Sequence, residues 1–472
     1  MNESKPHLVR GLTTVSATGA NIIDMVGVGP FITLPLIVSA MGGPQAMLGW
    51  LLGALLSLCD GCVWSEFGTA YPEAGGSYAY LKRLYGERGA GRVFSFLYAW
   101  QLLLSAPLSI ASGCIGFSQY VTWFVPGASR PIFAATWLHI PVVFSGQTMI
   151  AMGGCVLALI LLYRPIAHVG RVTRVLGMVV IGTLLLVILV GLTHFSAARA
   201  FSFPPNAFHL NGAFFLGLGA GLLVSAYDYW GYYNVCFLGA EVKNPERTIP
   251  RAVLGSIVIV GTLYLLMNIS VLGVLPWQSM METASHDAAA RQYTMAVFMQ
   301  TAFAAHPWAH TAASFVVILI AVASLASVFA LLLGYSRIPY AAAQDGNFPA
   351  VFGRVHPRHR IPAVSLLTLG GVTMLLCFLR LQEVIASLVV IRIVFQFLMQ
   401  GVATMLPKHR RERKAAGRFR MPLYPLPALI AIAGFLFILF SRKRFFAEME
   451  LAAAVAVSGL IVYFLRERWR KA

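Results

Sequence analysis

Charge is scarce in this chain. Asp, Glu, Lys and Arg together make up 11% of its 472 residues, with 17 acidic residues against 35 Lys and Arg. Ordinary globular proteins carry roughly a quarter charged residues, so a water-facing domain of usual composition is excluded. Linkers and low-complexity stretches are also missing, and residues 1–472 read as a single domain. The opening "MNESKPHLVRGL" has no cleavable-signal pattern and is expected to lead straight into a full-length apolar run. Cysteines number six, and Cys59, Cys62, Cys114, Cys155, Cys236 and Cys377 all sit in apolar segments. "CDGC" at 59–62 has redox or metal spacing but no second pair nearby, so it reads as helix packing. His168, His194 and His209 have no ligand partner at a useful spacing, and neither a metal site nor a cofactor is expected.

What fills the space is hydrocarbon. Hydrophobic residues make up 58% of the chain and its mean hydropathy is +0.75. The apolar runs reach the ~20 residues a helix needs to cross a bilayer, without the short alternating segments of a membrane barrel. They lie near 12–39, 44–70, 92–124, 147–163, 172–193, 212–239, 251–275, 309–336, 362–380, 383–406, 422–441 and 445–465. The fold class is therefore all-α integral membrane, with twelve transmembrane helices. The net charge of +18 collects in alternate loops, with the densest run, "PKHRRERKAAGRFR" at 407–420, between the tenth and eleventh segments. This pattern sets topology, with both termini cytoplasmic, and does not indicate a nucleic-acid partner; the partner it implies is the lipid bilayer.

Two segments break the apolar pattern. "NIIDMVGVGPF" at 21–31 places Asp24, two glycines and Pro30 within the first run. Gly costs a helix about 1 kcal/mol and an interior Pro about 3, while exposed backbone is tolerated in a membrane only around a cavity. Residues 27–30 are thus expected to unwind at an internal site, with Asp24, Gly27 and Val28 on one face at i, i+3 and i+4. A proline kink with an interfacial aspartate is the plainer alternative. In "GLLVSAYDYWGYYNVCFLGAE" at 221–241, Asp228 and Gly231 interrupt the sixth run amid tyrosines. An interfacial aromatic belt explains the tyrosines but not those two residues. Paired discontinuous helices are the device by which secondary transporters build a midplane site. Arg392, Gln396 and Gln400 form a polar stripe on the tenth run, and Asp60 in the second is the expected partner of Arg392, as an intramembrane polar pair.

Three further stretches carry a family resemblance: "YPEAGGSYAYLKRLYG" at 71–86, "GAEVKNPERTIPRA" at 239–252 and "SRIPYAAAQDGNFPAVFGRVHPRHRIPAVSLL" at 336–367. With the helix count, they make the chain resemble the amino acid, polyamine and organocation (APC) superfamily across nearly its whole length. The resemblance implies a LeuT-like five-plus-five inverted repeat with broken helices 1 and 6, core repeats near 12–193 and 212–406, and two C-terminal peripheral helices in 422–465. It implies that the amides of Gly27, Val28 and Gly29 hold a substrate carboxylate. Carbonyls of Tyr227 to Gly231 then hold the amino group. The implied substrate-binding set is Asp24, Gly27, Val28, Gly29, Tyr227, Asp228, Tyr229, Trp230, Gly231 and Tyr232, with Tyr227, Trp230 or Tyr232 closing the site from outside. Pro30 departs from the usual pattern because it lacks an N–H. "GVGPF" is also similar to the "GGPF" of polyamine-transporting relatives, and Asp24 and Asp228 favour an amine. Amino acid and polyamine both remain open.

For coupling, the resemblance offers a sodium site made by the first break with Ser324 and Ser327. The fifth run at 175–192 lacks the lysine of some proton-coupled relatives. Intramembrane carboxylates able to carry a proton, Asp24 and Asp228 among them, favour protons over sodium. The function expected is secondary active transport of a small-molecule substrate across the cytoplasmic membrane, with no obligatory protein partner. A channel lacks a filter motif, an enzyme lacks a catalytic cluster, and a non-transporting nutrient sensor on the same fold would bind ligand without flux.

Overall fold

The structure, a computed structural model, describes residues 7–87, 89–137, 140–286, 293–379, 390, 392–413, 418–442 and 445–471. Among these residues eight helices are long and apolar enough to cross a membrane. Four shorter apolar helices lie at Gly146–Leu162, Ala363–Leu376, Ile393–Ala403 and Leu426–Phe440. All twelve fall on the apolar runs of the sequence. The start of the tenth run, 383–389 with 391, lies outside the described residues, as does 1–6.

The first run is divided into α1 (Thr14–Met25), a four-residue α2 (Gly29–Ile32) and α3 (Leu34–Met41). It is followed by α4 (Met47–Ala70), a short α5 (Ser77–Tyr85), α6 (Ala90–Val121), α7 (Gly146–Leu162) and α8 (Ile166–Thr193). After the small α9 (Ala197–Ala200), the sixth run forms α10 (Gly212–Tyr229) and a four-residue α11 (Asn234–Phe237). Then come α12 (Pro245–Leu272), α13 (Trp277–His286), α14 (Thr294–Ala302), α15 (Ala309–Tyr335), α16 (Arg337–Gln344) and α17 (Ala363–Leu376). The tenth run forms α18, a wide π-helical stretch Ile393–Leu398 continuing as Met399–Ala403; α19 (Pro407–Glu412), α20 (Leu426–Phe440) and α21 (Phe445–Lys471) complete the chain.

Local chemistry accounts for several helix starts. The side chain of Thr13 accepts from the Ser16 amide, and that of Asn211 accepts from the Phe214 amide, satisfying orphan donors at the first turns of α1 and α10. Pro245 opens α12, where its missing N–H costs nothing. The chain is not helical throughout: β1 (Pro131–Trp137) and β2 (Ile140–Ser145) form an antiparallel hairpin between α6 and α7. "PIFAATW" and "IPVVFS" are rich in β-branched and aromatic residues, which suit a pleated ribbon.

α1 is the axis of the molecule, packed against α8, α12 and α15, while α4 lies against α10, α12 and α20. Two ionic clusters fasten the ends of helices. Arg337 and Glu241 form a buried bidentate pair, Nε to Oε2 at 2.8 Å and Nη2 to Oε1 at 3.0 Å. Removing one partner of such a pair strands a charge at a cost of about 3–5 kcal/mol. Glu66, near the end of α4, accepts from Arg413 Nε at 2.6 Å and from the Met421 amide at 3.2 Å. Part of the basic run at 407–420 is thus anchored inward, with His409 buried beside Glu66.

Candidate binding site between the interrupted helices

α1 ends at Met25 because Val26 leaves helical geometry, with φ −94° and ψ 74°. α10 ends at Tyr229 because Trp230 turns out with ψ 147° and Gly231 adopts φ +118°. The two breaks touch. A Cβ on Gly231 would lie 2.7 Å from the Met25 nitrogen and 2.8 Å from the Asp24 carbonyl carbon. Only glycine permits both the positive φ and this approach.

A cavity of about 350 Å³ opens where they meet. Asp24, Gly27, Val28 and Gly29 contribute one wall and Tyr227, Asp228, Trp230 and Gly231 the facing one. Thr33 and Tyr233 add to the polar lining, as do Ser109 and Ser112 from α6, Ser327 and Tyr335 from α15, and Arg392 at the head of α18. Arg442 also reaches the lining, where it pairs with Glu448.

Within the cavity the carboxylates are held differently. Asp24 Oδ2 accepts from Asn234 Nδ2 at 2.6 Å, and the same amide donates to the Ala330 carbonyl at 2.8 Å. Asp228 Oδ2 accepts from Thr33 Oγ1 at 2.5 Å. Its Oδ1 is buried without a partner among the described residues and lies against Gly29, where an added Cβ would sit only 2.1 Å away. The amides of Gly27, Val28 and Gly29 likewise make no hydrogen bond among the described residues. Free N–H groups beside a carboxylate oxygen offer donors and an acceptor at one point, the complement of a zwitterion.

Eight residues of the expected substrate-binding set line this cavity; Tyr229 and Tyr232 do not. α10 remains helical through Tyr229, so the ~100° step from Asp228 turns that ring outward, against Trp50 and Tyr264 with centroids 6.0 and 5.3 Å away. Tyr232 follows the turn and donates its hydroxyl to Asp60 Oδ2 at 2.6 Å. The expected Asp60–Arg392 pair is not formed. Arg392 instead donates to Ser109 Oγ at 2.6 Å and the Ser105 carbonyl at 3.2 Å. Of the proposed ion-site hydroxyls, Ser327 Oγ lies 3.4 Å from the Asp24 carbonyl and beside Gly27. Ser324 is fully buried behind the cavity wall, its hydroxyl without a partner among the described residues.

Sequence reasoning missed the residues that tie the breaks together. Asn21 Nδ2 donates to the Tyr232 carbonyl at 2.6 Å, and its Oδ1 accepts from the Val235 amide at 2.9 Å. Tyr264 donates to the Met25 carbonyl at 2.9 Å. Asn21 sits three residues before Asp24 in the same apolar run, a polar signal that was available. Tyr264 gave none.

Helices of this length and apolarity, folded around a buried polar cavity, define a multi-pass membrane protein. Residues 12–456 match the family described as amino acid permease, and the chain belongs to that family. It is 24% identical to the branched-chain amino acid permease BcaP of Lactococcus lactis subsp. cremoris, over 99% of this chain and 97% of that one. It is 25% identical to the serine/threonine exchanger SteT of Bacillus subtilis, over 93% of each. A methylthioribose transporter of Bacillus subtilis is also 25% identical, over 98% of this chain and 94% of its own. These relatives are named for differing cargo: branched-chain amino acids, serine and threonine, and methylthioribose.

Proposed function

We propose that this protein is a secondary active transporter that carries amino acids across the cytoplasmic membrane by alternating access. The observation that carries this reading is the meeting of both helix breaks at one cavity, with the unbonded amides of Gly27, Val28 and Gly29 beside Asp228. In this reading the amides receive the substrate carboxylate and Asp228 Oδ1 its ammonium group. The twelve apolar helices form a LeuT-like five-plus-five repeat with two peripheral helices, and both termini face the cytoplasm. Relatives that are amino acid permeases and exchangers support the cargo class. Protons are the coupling ion favoured here, carried by Asp24 or Asp228; sodium at Ser327 and Ser324 is the alternative.

The test is uptake by purified protein in liposomes, combined with thermal stability against amino acids and their decarboxylated analogues. Ligand binding to the folded state raises stability by mass action. Saturable uptake of an amino acid, with no stabilisation by the matching amine, is expected. Stabilisation by diamines alone would make this a polyamine transporter, the reading favoured by the two carboxylates in the cavity wall. Binding without flux would make it a sensor, and an imposed pH or sodium gradient separates the two couplings.

A further inference from the structure

Arg392 has no role in the reading above, yet it is a buried cation in the cavity wall, 2% exposed. Its guanidinium carbon lies 5.1 Å from the Tyr335 ring centroid and 5.8 Å from that of Trp230. Ring faces stabilise a cation from above and below its plane but do not occupy its in-plane N–H donors. Among the described residues those donors reach only Ser109 Oγ and the Ser105 carbonyl, Nε reaches nothing, and no carboxylate pairs with the guanidinium. A buried charge without a counter-ion is costly, and the planar fork of Arg matches a carboxylate in two-point contact.

The position of this cation within the cavity is as informative as its lack of an ion-pair partner among the described residues. The groups assigned to a substrate's α-carboxylate and ammonium belong to the breaks, at Gly27–Gly29 and Asp228. Arg392, at the head of α18, and Ser109, on α6, line the same cavity from other helices, which leaves them available to a substrate group that the breaks do not take. Asp24 also lines the cavity, with its Oδ2 accepting from Asn234, and it forms no ion pair with Arg392.

We propose that Arg392 and Ser109 form a subsite for an anionic side chain, so that the amino acids carried are dicarboxylic ones. This rests on the transporter reading and names its cargo. Each charge of such a substrate then has a partner: the α-carboxylate at the amides, the ammonium at Asp228 Oδ1, and the second carboxylate at Arg392. The competing role for Arg392 is a fixed cation whose field reaches Asp24 and which acts alike on every substrate.

The full-length protein in liposomes is assayed with radiolabelled L-glutamate, L-aspartate, L-leucine and L-serine, with L-glutamine and L-asparagine as competitors. In the unaltered protein the acids are expected to bind at least about tenfold more tightly than their amides. In R392Q the acids weaken by at least about tenfold while the amides change less than about threefold. S109A, which leaves the guanidinium in place, is expected to weaken the acids selectively and by less. Preference of the unaltered protein for neutral or basic amino acids overturns the proposal and leaves the transporter reading standing. Equal weakening of all substrates in R392Q and S109A also overturns it, in favour of the fixed cation. If R392Q does not fold, the unaltered protein and S109A decide the matter. If no amino acid is bound or carried, the transporter reading itself fails.

Discussion

The two breaks line one cavity, but they present different amounts of open backbone to it. At the sixth-helix break the carbonyls of Ala226 and Tyr227 accept from the Trp230 amide, and that of Gly231 accepts from the Asn234 amide. The Tyr232 carbonyl accepts from Asn21. Amides are left open at both, those of Gly27, Val28 and Gly29 at the first and of Gly231, Tyr232 and Tyr233 at the sixth, but all three first-break residues line the cavity whereas Tyr232 turns away to Asp60. Unpaired backbone groups are rarely buried without compensation. The contrast assigns different work to the two halves: the sixth-helix break, tied by Asn21 at the Tyr232 carbonyl and the Val235 amide, is the frame, and the first presents an unbroken row of three donors to the cavity.

The sharpest way to break this comparison is at the point where the frame meets the open segment. G231A places a side chain at φ +118°, a strain of about 1–3 kcal/mol, and drives its Cβ into the backbone of Asp24 and Met25. Loss of monodisperse protein in size-exclusion chromatography is expected. A well-folded G231A with unchanged thermal stability would mean that the breaks do not touch.

N21A comes next. It removes the acceptor of the Val235 amide and the donor to the Tyr232 carbonyl, leaving both buried and unpaired. A loss of about 2 kcal/mol or more is expected from two such groups, read as a lowered midpoint in thermal unfolding. An equal loss of stability in N21D, whose carboxylate still accepts from Val235, would shift the weight of the tie to the Tyr232 bond.

G29A probes the open side. The added Cβ meets the free oxygen of the Asp228 carboxylate, a side chain that can turn aside if its bond from Thr33 breaks. The protein is therefore expected to fold, with substrate affinity reduced by about tenfold, equivalent to ~1.4 kcal/mol. Unaltered affinity would remove Asp228 and Gly29 from the site.

The order of these effects bears on what could be read from sequence. Hydropathy is summed along the chain, and all twelve apolar helices were legible from it, as were the breaks, because Gly, Pro and Asp are conspicuous in hydrocarbon. The facing of side chains past a break was not. Tyr229 and Tyr232 flank the turn at Trp230 and Gly231, and no helical period carries across a residue at φ +118°. The hairpin at 131–145 had a β-branched signal, obscured by the expectation of helix in a chain so apolar. Asn21 and Asn234 stood in the quoted stretches, but their bonds join residues more than 200 positions apart in sequence.

Partner choice is where that limit was felt most, and it yields the smallest effect. A buried Asp60 and a buried Arg392 invite pairing on charge alone, yet Asp60 is met by Tyr232 and Arg392 by Ser109 and Ser105. The two charges share no hydrogen-bond partner, so D60N and R392Q are expected to act independently on stability. In a double-mutant cycle the interaction should stay below about 0.5 kcal/mol, the scatter typical of uncoupled sites. D60N keeps an oxygen to accept from Tyr232, so its own cost should be small. A coupling of about 1 kcal/mol or more, the size seen for residues in one network, would place both in a single charge network and tie the α4 carboxylate to the cavity wall. Independence would instead leave Asp60 as part of the frame and Arg392 facing the ligand, extending the contrast between fixed and open halves beyond the breaks themselves.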